Sequence, residues 1–100
     1  MANQVPLELR ALRIDPADNV AVALQDIGEG LLVAVEGGAV VARNLIPFAH
    51  KLALGRIARG SFVVKYGARI GMAIADIEPG EWVHEHNVES CFRASREGWT

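Results

Sequence analysis

A seven-residue pattern, I-x-x-G-x-x-V, occurs three times and constrains the fold more than any other feature of this chain. The copies occupy residues 27–33, 57–63 and 77–83. Each copy places a glycine, which suits a turn, between an isoleucine and a strand-forming valine. A single copy is a common entry into a strand, but three copies in 100 residues favour a fold built from similar hairpins. The repeat is too short and irregular for a solenoid.

Short apolar runs between turn residues continue this pattern and predict an all-β domain, a compact barrel-like or clip-like fold. Strands are expected at residues 10–14, 20–24, 31–35, 39–42, 61–66, 69–75 and 81–86. The core is expected from residues 20–24, 31–35, 63–64 and 70–75. Between residues 43 and 51, Pro47 favours a loop that delivers His50 and Lys51 to a defined place. Alanines within the runs weaken the prediction, because alanine is depleted in strands.

The composition is that of a single globular domain, with 51% hydrophobic and 22% charged residues in a chain of 100. We expect a lead-in at residues 1–14, the domain at 15–88 and a tail at 89–100. The net charge of −2 argues against general nucleic-acid binding, and no apolar run approaches the roughly 20 residues of a membrane span. The start of the chain does not resemble a signal peptide. Together with a single cysteine, Cys91, which we expect to be inert, this predicts a cytoplasmic protein.

The charges are segregated along the chain. Residues 37–75 contain six bases and no acid, whereas residues 76–89 contain five acids and neither lysine nor arginine. The basic segment could attract an anionic ligand or an acidic partner. Alternatively, the two segments could face and neutralise each other, and the sequence leaves both possibilities open.

The three histidines lie near one another in sequence, at His50, His84 and His86. Residues two apart on a strand project from the same face, so a strand over 81–86 would place His84 and His86 side by side. Such a pair could ligate one divalent metal or hold one anion, with His50 as a third ligand. The alternative is that these are ordinary surface histidines.

Lysines in the same region are candidate ligands for a carboxylate. Lys51 and Lys65 could hold such a group, and a partly desolvated lysine can also act as a base. Tyr66 ends a predicted strand before Gly67, and its hydroxyl could donate to a ligand. Solvated strand-edge lysines and a simple turn are the alternatives. The chain has no motif for nucleotide, flavin or zinc-finger binding.

Six short segments together carry a resemblance to a known family. They are DNVAVA (18–23), IPFAHKLAL (46–54), VKYG (64–67), IG (70–71), ADI (75–77) and GEWVHEHN (80–87). With them, roughly residues 15–88 resemble the SAF domain, an antifreeze-like β-clip, of the altronate and galactarate dehydratase family. Ala49 departs from this resemblance, since glycine is expected in P-F-G-H-K, and this departure leaves the substrate preference open.

The resemblance implies a β-clip fold and the small subunit of a sugar-acid hydro-lyase. Such a subunit completes its active site with a separate large catalytic subunit, is inactive alone and serves an enzyme that requires a divalent metal, iron. The implied roles are catalysis by His50 and Lys51, substrate binding by Lys65, Tyr66 and Asn87, and metal binding by His84 and His86. Alternatives are the small subunit of an enzyme like sulfolactate sulfo-lyase, or a stand-alone SAF ligand-binding module. The isolated chain could also form a homo-oligomer.

Overall fold

A computed structural model describes residues 9–91, and up to Ser90 its secondary-structure elements are all β-strands. They are β1 (Ala11–Leu12), β2 (Val20–Ala23), β3 (Leu32–Val35), β4 (Gly38–Val41), β5 (Lys51–Ala53), β6 (Phe62–Lys65), β7 (Ala68–Ala73), β8 (Trp82–Val83) and β9 (Val88–Ser90). The prediction of an all-β fold of short strands is confirmed. Residues 9–91 contain no apolar helix of membrane-spanning length.

The strands form three small antiparallel sheets, in the orders β1-β2-β5-β8, β3-β4 and β6-β7-β9. Two of the predicted boundaries that differ from the structure concern the segments that carry the histidines. The loop after Pro47 ends earlier than expected, because Lys51 already pairs with Val22 as the first residue of β5. The strand expected over 81–86 stops at Val83, and residues 84–87 form a turn that leads into β9.

The three copies of the repeat share one backbone geometry, as predicted. In each copy the isoleucine and the valine are buried, and the glycine has a φ of 87–89°. The residues are Ile27, Gly30 and Val33, then Ile57, Gly60 and Val63, then Ile77, Gly80 and Val83. This left-handed conformation is readily accessible to glycine and unfavourable for other residues, which explains the fixed glycine in the pattern.

The structure also reveals a fourth copy, at residues 46–52. Ile46 and Leu52 are fully buried, and the turn position between them is occupied by Ala49 with a φ of 71°. Ile46 bridges Ile27 of the first copy, just as Ile57 bridges Ile77. The fold therefore contains two pairs of repeats. The fourth copy does not match the sequence pattern because alanine stands at the glycine position and leucine at the valine position.

Each repeat turn is held by a hydrogen bond to an alanine that lies in a strand or directly after one. The turn N–H donates to an alanine carbonyl oxygen at 2.8 Å in all four copies. The donor and acceptor pairs are Gly30 with Ala42, Ala49 with Ala23, Gly60 with Ala73, and Gly80 with Ala53. All four acceptor alanines are buried. We attribute the unusual alanines of these strands to this close approach of backbone, which favours a small side chain.

The buried residues form two separate clusters. The first includes Ile27, Ile46 and Leu52, and the second includes Ile57, Ile77 and Ala53. Neighbouring residues of β5 thus enter different cores.

The predicted core was only partly correct. Leu24 and Ile74 follow the ends of β2 and β7 and are 45% and 46% exposed. The folded unit also extends beyond residues 15–88, since Ala11 is buried and pairs with Ala23, while β9 pairs with β7.

Candidate functional site

The three histidines gather around the indole ring of Trp82. The His84 ring is stacked on it, with centroids 5.0 Å apart and planes 10° apart. The rings of His50 and His86 are tilted against it at 5.6 and 5.2 Å, and His50 lies 4.9 Å from His84. The pairing of β5 with β8 creates this cluster, because it sets Leu52 opposite Trp82. We call these four residues the Trp82 cluster.

The argument that led to a shared histidine face was wrong, although the histidines do meet. His84 and His86 belong to the turn after β8, not to a strand, so strand periodicity does not bring them together. Their contact with Trp82 does. Sequence reasoning missed Trp82 as a site residue, and its position inside the GEWVHEHN segment was the available signal.

Asn87 holds the turn that carries His84 and His86. Its side chain is 6% exposed, its Oδ1 accepts the His84 N–H at 2.9 Å, and its Nδ2 donates to the Trp82 carbonyl oxygen at 2.8 Å. Both the oxygen and the nitrogen of the Asn87 side-chain amide therefore stabilise the turn. The geometry gives Asn87 a scaffolding role, and its contact with a substrate stays a prediction.

A groove of about 590 Å³ lies beside the Trp82 cluster, with His84 common to both. Its lining includes three other residues singled out from the sequence, namely Lys51, Lys65 and Tyr66. The rest is mainly apolar, contributed by Ala68, Ile70, Val83 and Val88, with Glu85 and Ser90. His50, His86 and Asn87 do not line the groove, so the structure divides the predicted site residues between the groove, the cluster and the turn.

The two lysines give the groove its positive charge. Burial lowers the pKa of Lys51, and the like charge of Lys65 lowers it further. The Lys65 ammonium lies 4.8 Å from the centre of the Tyr66 ring, at a distance typical of a cation–π contact. The salt bridges found in residues 9–91 do not involve either lysine.

The basic and acidic segments of the sequence meet outside the groove. Arg56 binds Asp76 at 3.1 Å and Glu78 at 3.3 Å, so the basic and acidic segments neutralise each other at that point. Neither lysine takes part in these ion pairs, and attraction of an anion by the basic segment stays a prediction. One acid does reach the groove: Glu85 lies 3.7 Å from His84 Nε2.

A buried carboxylate positions the groove wall at Lys65 and Tyr66. Tyr66 and Gly67 form the two-residue β6–β7 turn with φ of 57° and 72°, as a type I′ hairpin requires. Asp18 is 4% exposed and accepts their N–H groups at 3.1 and 2.8 Å. Burial acts to raise the pKa of Asp18, but these hydrogen bonds, with that of Asp15, hold it below its usual value.

Asn19, next to Asp18, holds strand β6 of the same hairpin through two hydrogen bonds. Its Oδ1 accepts the Val64 N–H at 2.8 Å, and its Nδ2 donates to the Phe62 carbonyl oxygen at 3.0 Å. The Asp18–Asn19 pair, which was not predicted as part of the site, thus fixes the hairpin that carries Lys65.

The described residues do not form a metal site by themselves. Residues 9–91 contain no group of three or more His, Cys, Asp or Glu side chains arranged to hold a metal ion. In the Trp82 cluster the imidazoles pack against an indole, and His50 Nδ1 accepts a hydrogen bond from it. The predicted iron site therefore does not fit these residues alone.

Comparison with known proteins assigns the fold to a family. Residues 9–91 match the model of the altronate/galactarate dehydratase SAF domain. The chain belongs to this family. Among similar proteins, the altronate dehydratase of Escherichia coli is 45% identical over 82 residues, which are 82% of this chain but 17% of that enzyme. The chain thus spans only a small part of the dehydratases that it matches.

Shorter relatives of this SAF domain carry a different name. The (2R)-sulfolactate sulfo-lyase subunit alpha of Chromohalobacter salexigens is 42% identical over 48 residues, 48% of this chain and 51% of that subunit. The subunit alpha of Paracoccus pantotrophus is 39% identical over 51 residues, 51% of this chain and 76% of that subunit. SAF domains similar to this one therefore occur both within long dehydratases and in proteins named as subunits.

Proposed function

We propose that this SAF domain is the small subunit of a sugar-acid hydro-lyase of the altronate or galactarate dehydratase type. It completes an active site together with a separate large catalytic subunit. The observation that carries the proposal is the groove, in which Lys51 and Lys65 meet His84 with no salt bridge of their own among the described residues. Membership of the dehydratase SAF family supports the reaction class.

The groove suits the charge changes of such a reaction. Dehydration of a 2,3-dihydroxy acid removes the proton next to the carboxylate and expels the 3-hydroxyl group as water. The barrier is the negative charge that develops on the carboxylate as the proton leaves. Lys51 and Lys65 are placed to bind the carboxylate and stabilise that charge. Lys51, with its lowered pKa, is also the lysine better suited to exchanging a proton.

The size and openness of the groove support the proposal of a separate large subunit. A domain of 100 residues has little surface with which to enclose a polar substrate and exclude water. Phe48, which is 63% exposed beside His50, is a candidate for burial by the partner, whereas the other candidate, Trp99, lies outside the described residues. The divalent iron implied by the resemblance would need ligands from outside residues 9–91.

A second candidate is the alpha subunit of a sulfolactate sulfo-lyase. The coverage favours it, because this chain aligns with 51% and 76% of two such subunits but with 17% of an altronate dehydratase. In that reaction sulfite leaves instead of water, and the same two lysines would hold a carboxylate or sulfonate. The groove therefore fits either acid.

Reconstitution tests the proposal. The purified chain would be mixed with ferrous iron and the large subunit encoded beside it, and turnover of altronate, galactarate and sulfolactate would be measured. We expect no activity from the chain alone and turnover from the mixture. The acid that is turned over separates the two candidates. Activity of the isolated chain would move the whole site into the SAF domain, and the absence of any large partner would favour a stand-alone binding module.

A variant at His50 tests its place in the site. His50→Ala should lower the rate about 10²-fold or more, while affinity for the large subunit changes much less, because an interface spreads over many contacts. Glu29→Ala, at an exposed position in the first repeat turn, is the matched control and should behave as the wild type. An unchanged rate in His50→Ala would mean that the His50 loop supports the fold and takes no part in the reaction.

A further inference from the structure

A hydrogen bond inside the Trp82 cluster determines which nitrogen of His50 carries the proton. Trp82 Nε1–H donates to His50 Nδ1 at 3.2 Å. The indole nitrogen is a donor only, so Nδ1 must offer a lone pair and carry no proton. A neutral imidazole bound in this way holds its proton on Nε2.

Both partners of this hydrogen bond are held in place independently. The His50 N–H donates to the Pro47 carbonyl oxygen at 3.0 Å, and the His50 carbonyl oxygen accepts the Ala23 N–H at 2.8 Å. The backbone N–H of Trp82 donates to Asn44 Oδ1 at 2.9 Å, and the indole ring stacks on the His84 ring. The backbones of both residues are therefore held in place, and the contacts of the His50 ring with Trp82 and His84 orient the imidazole.

His50 does not line the groove itself, but its ring lies 4.9 Å from that of His84, which does. We propose that Trp82 is a positioning residue that holds His50 as its Nε2–H tautomer, so that His50 donates a hydrogen bond to a substrate bound beside His84 and does not act as a base. The tautomer follows from contacts within the chain, and the role towards substrate rests on the proposed function. An Nε2–H group suits an oxygen on which negative charge develops, such as a carboxylate oxygen during loss of the neighbouring proton. His50 gains and loses no proton in this role.

Nuclear magnetic resonance on the full chain tests the tautomer directly. The ¹⁵N-labelled protein would be studied with a chelator present and at a pH where its histidines are neutral. We expect the His50 proton on Nε2, and a scalar coupling between Trp82 Nε1 and His50 Nδ1 across their hydrogen bond. A proton on Nδ1, or the absence of that coupling, would overturn the proposal without any variant having to be made.

Trp82→Phe then tests whether the indole N–H is the cause. Phenylalanine keeps an aromatic ring in the cluster but removes the donor, so His50 should become a mixture of both tautomers. His86 is the internal control, because it packs on the same ring at 5.2 Å and should keep its tautomer. A His50 tautomer that stays unchanged in Trp82→Phe would show that the indole does not set it.

Three substitutions of His50 test the donor role in the reconstituted enzyme. Glutamine places an amide N–H near the position of Nε2, asparagine places one near Nδ1, and alanine has no donor. We expect His50→Gln to stay within about 10-fold of wild type, and His50→Asn and His50→Ala to lose about 10²–10³-fold, the usual cost of a lost oxyanion donor. Equal losses in all three would contradict the donor role. Absence of turnover with every acid would count against the proposed function, while the resonance result would still decide the tautomer.

Discussion

Ala49→Gly should stabilise the domain. Ala49 has a φ of 71° at the turn position that glycine occupies, with φ of 87–89°, in the other three repeats. A left-handed non-glycine residue costs about 1–2 kcal/mol. Glycine loses about 0.4–1 kcal/mol more conformational entropy on folding, which offsets part of the gain. The free energy of unfolding should therefore rise by about 0.5–1 kcal/mol, and the melting temperature by about 2–8 °C in a domain of this size.

Two reverse substitutions calibrate this magnitude. Gly60 has a φ of 89° and no atom within 4 Å of an added Cβ, so Gly60→Ala carries the conformational cost alone and should lose about 1 kcal/mol. At Gly80, with a φ of 87°, an added Cβ would lie 1.8 Å from the Val41 carbonyl oxygen. Gly80→Ala should therefore cost about 3 kcal/mol or more, since overpacking adds to the strain.

Urea and thermal unfolding followed by circular dichroism would measure all three variants. The expected order of stability is Ala49→Gly, wild type, Gly60→Ala and Gly80→Ala. A less stable Ala49→Gly, or a Gly60→Ala variant as stable as wild type, would refute the view that backbone conformation limits residue choice at these turns.

Two further predictions concern charged groups around the groove. Asp18→Asn should lower the free energy of unfolding at pH 7 by about 2 kcal/mol, because a charged acceptor of backbone N–H groups is lost; Glu29→Gln is the control. The pKa of Asp18 is lowered in the folded state, so its stabilisation is present above the ordinary value of about 3.9 and is lost as the pH falls through the folded value. Urea melts of wild type and Asp18→Asn should therefore converge in acid, and a constant difference would contradict this linkage. Lys65→Met should raise the pKa of Lys51, measured by side-chain resonance titration, because a like charge is removed; an unchanged pKa would mean that burial alone lowers it.

The sequence predicted the parts of the fold that depend on residue type at fixed spacing. Glycine marks a left-handed turn, so three repeat turns could be recognised, whereas Ala49 adopts the same conformation without that mark. The strands β5 and β9 are three residues long each, too short for a periodic pattern. Alanines were read against strand formation because the sequence does not show the backbone that packs on them.

The site was less predictable because its residues meet through strand register. His84 and His86 were expected on a strand, but Asn87 closes a turn that ends β8 at Val83. Trp82 resembled an ordinary strand aromatic, and only the pairing of β5 with β8 shows that it contacts all three histidines. Lys51 and Lys65 were already grouped from the sequence as candidate carboxylate ligands, and the structure places both on one groove.

The candidate site lies at the seam where the two pairs of repeats meet. The Ile27–Ile46 pair leads into His50, whereas the Ile57–Ile77 pair leads into Trp82 and His84, and each pair has its own hydrophobic cluster. The contacts of β5 with β8 join the halves at the Trp82 cluster. Because Ala53 of β5 belongs to the second cluster and Trp82 of β8 packs against the first, opening of that seam would separate His50 from Trp82 and expose part of both cores. The Trp82 cluster and the two cores would then be lost together, and Trp82, which lies on the seam, would report the change through its fluorescence.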